Sequence, residues 1–204
     1  MRQTPDHFAV LLNTNARRVS RGVQDRISEI VDPDDVYVSD NEDSAAELVS
    51  DLMKKGYDTV FTGGGDGTVT RFINMLPDQA DAPRIGILKL GTGNAMAEIV
   101  SSGNPLVDLE TYSANPSADS YQLGLCEAEG VRFAFAGLGL DAEILNHYRT
   151  FKARNAHGPF KPLVESVAGY LLAAFGMTVP SHIARWVERH EAKVRITNLG
   201  DSAY

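Results

Sequence analysis

The chain has 204 residues, 43% of them apolar and 23% charged, enough for one large domain or one and a half. A net charge of −8 and a pI near 5.1 exclude the basic face that a nucleic-acid binder needs. The single Cys126 excludes an intramolecular disulfide and agrees with a cytoplasmic setting. The first seven residues are polar, unlike a signal peptide. The longest uncharged run, 166–184, holds two glycines, a proline and a histidine, whereas a membrane span needs ~20 mainly apolar residues.

Residues 8–12 (FAVLL) read as a central parallel strand. Asn13 and a segment bearing Arg17, Arg18 and Arg21 follow, and a helix is predicted from about Val19 to Ile30. Residues 36–39 form a second short strand ending at Ser39, and 45–55 an amphipathic helix closed by Gly56. Val60 and Phe61 mark a third strand, which runs into Gly63-Gly64-Gly65-Asp66-Gly67-Thr68, four glycines in the first five positions. A helix with Val69, Phe72, Ile73 and Leu76 on one face follows, and Pro77 stops it.

Strand, glycine turn and helix together point backbone N–H groups and a positive helix end at a phosphate. Glycine is expected there because a side chain would hold the phosphate off and because such turns visit φ > 0. Asp66 reads as a magnesium ligand, as a base for an attacking hydroxyl, or simply as a helix cap. A second unit repeats the arrangement: strand 84–90, then Gly91-Thr92-Gly93-Asn94, then a helix from Ala95 towards Ser102. Lys89 needs an exit or a partner at the end of a buried strand, and a phosphate is one candidate.

Residues 106–112 fit a helix or a strand, and 113–119 form a polar linker. The expected boundary therefore separates an α/β nucleotide-binding domain, 1–115, from a partial β-rich domain, 120–204, with inserted helices. A hairpin is predicted from 121–127 and 131–136, helices over 142–151 and 163–177, and strands over 183–188 and 193–197. Residues 149–161 form a basic segment with Phe151 and Phe160, which suits either an anionic membrane surface or a solvated loop. His147, His157, His182 and His190 lack metal-ligand spacing.

GGGDGT followed by LKLGTGNAMA resembles the diacylglycerol kinase catalytic domain, shared by bacterial lipid kinases, sphingosine kinases and ceramide kinases. Residues 133–143 (FAFAGLGLDAE) resemble the glycine–x–aspartate stretch at the start of that family's second domain. The resemblance implies a mainly parallel, Rossmann-like α/β sheet of the NAD kinase and diacylglycerol kinase type. It implies ATP and Mg2+ as cofactors and a diacylglycerol- or sphingoid-like lipid as acceptor. A catalytically silent nucleotide- or lipid-binding module is the alternative.

By the same resemblance Asp66 and Asp141 are catalytic, with Asp66 also holding metal and Asp141 facing the acceptor hydroxyl. Asn13, Ser39, Gly63, Gly64, Gly65, Asp66, Gly67, Thr68, Gly91, Thr92, Gly93 and Asn94 hold the nucleotide. Three departures stand out. The Asn13 loop lacks the family's proline and glycine, Thr70 and Arg71 stand where an asparagine–glutamate pair is usual, and Lys89 replaces a proline. Family members continue through more of a β-rich domain carrying a further acidic motif and a structural metal site. The expectation is therefore a chain either cut short or altered in activity. The expected setting is cytoplasmic, with peripheral contact at the inner membrane face and a homodimer left open.

Overall fold

A strand that is apolar at every position buries both its faces only if helices cover both sides of the sheet. In the computed structural model β1 (Phe8–Asn13) does so: Ala9 and Leu11 enter one layer, and Val10 and Leu12 the other. The structure describes residues 7–77, 82–116, 120, 122–137, 139–155, 164 and 166–188. β1 pairs in parallel with β2 (Val36–Ser39) on one side and β3 (Thr59–Gly64) on the other, and β3 pairs in parallel with β4 (Arg84–Lys89). The order β2-β1-β3-β4 reverses direction at β1, so the switch point lies outside the carboxyl ends of β1 and β3.

Helices α1 (Arg21–Ile30) and α5 (Pro105–Ala114) bury Ile27, Leu109 and Tyr112 against Val10, Leu12 and Leu88. Helices α2 (Glu42–Lys55) and α3 (Asp66–Met75) bury Val49, Leu52 and Phe72 against Ala9, Leu11 and Val60. Each such side chain contributes ~1.5–3 kcal/mol on burial. A capping box of Asn41 and Ser44 starts α2, and Gly56, at φ 70°, ends it as expected. The short α4 (Ala95–Ile99) seats Met96 and Ala97 against Val69, Ile73 and Ile87. Residues 106–112, open to either reading, are helical. Pro105 takes the first turn, and the Asn104 side chain accepts the Leu106 N–H at 3.0 Å.

The hairpin is shorter than expected: β5 (Cys126–Ala128) and β6 (Val131–Phe133), joined by Glu129 and Gly130 at φ 53° and 76°. Two side chains tie it to α3: Arg132 donates from its guanidinium to the Leu76 carbonyl at 2.8 Å, and Asn74 holds the Arg132 backbone. Asn74 accepts the Arg132 N–H at 2.8 Å and donates to the Arg132 carbonyl at 2.7 Å, standing in for a neighbouring strand. Asn74→Leu keeps the bulk and leaves both Arg132 backbone groups without these bonds. It should cost ~1–3 kcal/mol, read as a lower melting temperature with faster amide exchange confined to 126–133. Unchanged exchange in the hairpin would show that its own pairing suffices.

The chain divides into two compact units, Met1–Phe135 and Ala136–Tyr204. The division thus falls after the hairpin, not in the linker before it, because Asn74 and the packing of Leu123, Leu125 and Ala134 tie that segment to the first unit. In the second unit the described residues are helical: α6 (Leu140–Arg154), α7 (Val167–Ala173), a π-helical turn (Ala174–Thr178) and α8 (Val179–Glu188). The strand expected over 183–188 is therefore a helix. Its β-branched residues Ile183 and Val187 lie four apart, a spacing that serves one helix face as readily as a strand. The strand expected over 193–197 lies outside the described residues. His147 Nδ1 meets the buried Thr178 hydroxyl at 2.9 Å, a structural tie between α6 and the π turn. No described helix is long and apolar enough to cross a membrane.

Candidate functional site

Parallel pairing brings the strand ends level: Asn13 lies beside Ser39, Leu12 beside Gly63, and Gly64 beside Lys89. Both glycine loops thus start at one edge of the sheet and meet. The Asp66 N–H points to the Gly93 carbonyl at 3.4 Å, and the Leu90 N–H to that of Gly64 at 3.3 Å. Asp66 completes the contact with its side chain: Oδ2 accepts the Ala95 N–H at 3.0 Å and Oδ1 the Met96 N–H at 2.9 Å. It is therefore a cap, but of α4 rather than of its own helix. Since α4 follows the second loop, one carboxylate clasps the two loops together. Asn94 closes the second loop upon itself, accepting the Gly91 N–H at 3.0 Å and donating to the Gly91 carbonyl at 2.9 Å.

This contact explains the glycines differently from the sequence reading. Among the described glycines positive φ occurs at Gly56, Gly130 and Gly139, and none of these lies in either loop. A Cβ on Gly91 would overlap Gly65 Cα and stand 2.6 Å from Gly65 N. One on Gly65 would stand 3.0 Å from the Gly93 carbonyl oxygen, and one on Gly64 would press into the Thr68 side chain. Close approach of backbone to backbone demands glycine at 65 and 91, while at 64 the neighbour is a side chain. Gly67 differs: it is exposed in the first turn of α3 and its Cβ position is open. Thr92 and Gly93 are exposed.

Three other expected site residues hold one another or their neighbours. Asn13 Nδ2 donates to Thr68 Oγ1 at 3.0 Å, joining the end of β1 to the first turn of α3. The Ser39 hydroxyl, nearly buried, donates to the Asn41 carbonyl at 2.9 Å. Beside these groups lies a cavity of about 330 Å³ at the switch point, walled by Asn13 and Asn15 after β1, by Asp40 and Asn41 after β2, and by Thr68 and Arg71 of α3. Asp40, Asn41 and Asn15 escaped the sequence reading. An acid directly after a parallel strand was the available signal, masked by its resemblance to an ordinary helix start.

Lys89 pairs its amine with the Glu98 carboxylate on α4, which satisfies the buried-strand lysine without a phosphate. Arg17, Arg18 and Arg21 are exposed, and the cavity walls do not include them. Asp141 stands in the first turn of α6, in the second unit, and its side chain lies outside the described residues. Phe160 and Lys161 of the basic segment also lie outside them, while Arg149, Lys152 and Arg154 are exposed on α6.

Among the described residues no three His, Cys, Asp or Glu side chains gather as a metal site. The donor set still fits Mg2+, which usually takes one or two carboxylates together with substrate phosphates. Each Asp66 oxygen keeps acceptor capacity beyond its single N–H bond.

Residues 7–121 match the family model described as the diacylglycerol kinase catalytic domain. Over 58 residues the chain is 33% identical to "Diacylglycerol kinase" of Staphylococcus haemolyticus, covering 28% of this chain and 18% of that one. Over 72 residues it is 39% identical to "Probable lipid kinase YegS-like" of Enterobacter sp., covering 34% and 23%. The matches thus span about a fifth of these relatives' lengths. A solved Bacillus anthracis str. Sterne protein described as a diacylglycerol kinase superposes with a TM-score of 0.51 at 17% identity, covering 64% of this chain and 48% of that one, which shows a shared fold.

Proposed function

Because the chain belongs to the diacylglycerol kinase catalytic domain family, we propose that it is an ATP-dependent lipid kinase acting on a hydroxyl of a diacylglycerol- or sphingoid-like lipid. The observation that carries this reading is the cavity at the switch point, walled by Asn13 at the end of β1, Thr68 in the first turn of α3 and Arg71 one turn further on. Parallel α/β sheets bind nucleotides there, and a helix start with a guanidinium beside it favours phosphate.

In the transfer, a bond forms between the acceptor oxygen and the γ-phosphorus, the bond to ADP breaks, and the acceptor proton passes to a carboxylate or to solvent. This chemistry rests on positioning and charge. The two clasped loops, which do not themselves wall the cavity, fix the start of α3, and Arg71 and Thr68 supply donors on its wall. Magnesium, held by Asp66 and the phosphates, would neutralise charge developing on the phosphate oxygens. Asp141 is assigned the acceptor side.

Leu171, Leu172 and Phe175 are exposed apolar side chains in the second unit, and with Arg149, Lys152 and Arg154 they support peripheral contact with an anionic membrane from a cytoplasmic setting. One feature favours the catalytically silent module instead: Arg71 lines the cavity where the resemblance leads one to expect an acid.

Calorimetry with Mg-ATP, followed by radiolabelled phosphate transfer to a panel of lipid micelles and to NAD, separates the readings. ATP binding with labelled lipid is expected. Binding without any label would establish the silent module, and label on NAD a soluble small-molecule kinase. No binding would remove the nucleotide reading altogether.

A further inference from the structure

The walls of the switch-point cavity differ in charge, and this suggests which nucleotide it takes. Arg71 and Thr68 stand on α3, Asp40 stands directly after β2, and Asn13 lies between them at the end of β1. β2 and β3, the strand that leads into α3, flank β1, so at ~4.8 Å per strand these two strands are ~10 Å apart. That is about the separation between the phosphates and the sugar hydroxyls of one nucleotide.

We propose that Asp40 makes this cavity selective for ribonucleotides, its carboxylate accepting hydrogen bonds from the ribose hydroxyls. The inference rests on the nucleotide reading above. Asp40 is held for such a task. Its Oδ1 accepts from Asn41 Nδ2 at 2.7 Å and from Ser44 Oγ at 3.1 Å, and its carbonyl accepts from Asn15 Nδ2 at 2.5 Å. Its Oδ2 has no partner among the described residues. A carboxylate with one oxygen anchored and one open repels phosphate and calls for a neutral donor. The ribose hydroxyl pair is the part of a nucleotide that provides it, and an acid at a strand end serves the same purpose in dinucleotide-binding sheets. A 2′-deoxynucleotide leaves the open oxygen short of a donor. Loss of a hydrogen bond to a charged group lowers affinity ~10-fold or more.

The test is calorimetric titration of the 204-residue chain with ATP and with 2′-deoxy-ATP, in the parent and in Asp40→Ala. The parent should prefer ATP ~10-fold. Asp40→Ala should lose the preference because ATP falls to the level of 2′-deoxy-ATP, which itself stays near the parent value. Should the alanine variant unfold, Asp40→Asn keeps an anchoring oxygen for Asn41 and Ser44 and should still narrow the preference. Equal parent affinities, or a preference that survives in both variants, would overturn the assignment of Asp40 and leave the nucleotide reading intact. A parent that binds neither nucleotide removes both together.

Discussion

Gly91→Ala should destabilise the protein more than the same change at Gly67, although both glycines belong to the loops expected to hold phosphate. At Gly91 the added methyl meets Gly65 N at 2.6 Å and the Gly93 carbonyl oxygen at 3.0 Å, and both are backbone that no rotamer change can move. Overpacking of this kind costs ~1–3 kcal/mol and occasionally more. At ~2–4 °C per kcal/mol for a chain of this size, the melting temperature should fall measurably. The two loops would separate, and Mg-ATP affinity should fall with them. Gly67→Ala adds its methyl to open space in the first turn of α3, where alanine is the better helix former by ~1 kcal/mol. Its stability should hold or rise, while, on the proposed reading of the first glycine loop as a phosphate cradle, ATP affinity falls. Thermal melts and calorimetry on both variants separate the two uses of glycine. A stable Gly67→Ala protein with parental ATP affinity would move the phosphates away from the head of α3.

Asp66→Asn should impair folding stability and nucleotide binding together. The amide keeps one acceptor for the two N–H groups of Ala95 and Met96, and it turns an NH2 group towards the other, donor against donor. Hydrogen bonds to a charged group are worth ~1.5–3 kcal/mol each, so the clasp should weaken by about that much. The Gly91–Asn94 loop would then be held by Asn94 and by the two long backbone bonds, from residue 66 to the Gly93 carbonyl and from Leu90 to the Gly64 carbonyl. Phosphate transfer, in whichever lipid assay detects it, should fall by the ~10²–10⁴ typical of losing a positioned group. A variant with parental melting temperature and ATP affinity but no transfer would give Asp66 to the chemistry alone and remove its role as clasp.

Legibility varied with the range of the interactions involved. Every strand of the parallel sheet could be read from its apolar run, because a strand buried on two faces must be apolar at successive positions. Gly56, Pro77 and the turn at 129–130 were equally plain, since φ restrictions act within a residue or two. Residues 104–105 carry a helix start of the same short range, with Asn104 as cap and Pro105 in the first turn. Residues 183–188 were read as a strand because β-branched residues at short range suit either structure, and packing decides between them.

The amino-acid sequence by itself determined the α/β class, the two strand–glycine–helix units and the family, because each depends on local pattern and on motif order. Only the tertiary structure decided what the motif residues do. Asp66 and Ala95 are far apart in the chain, and no spacing rule says that a carboxylate in one loop will cap the helix after another. The same holds for Gly65 against Gly91, for Lys89 with Glu98, and for Asp40 and Arg71 on the walls of one cavity. Each of these pairings exists because parallel strands bring their carboxyl ends to one edge whatever the length of chain between them. That is a property of the sheet, which no single segment carries.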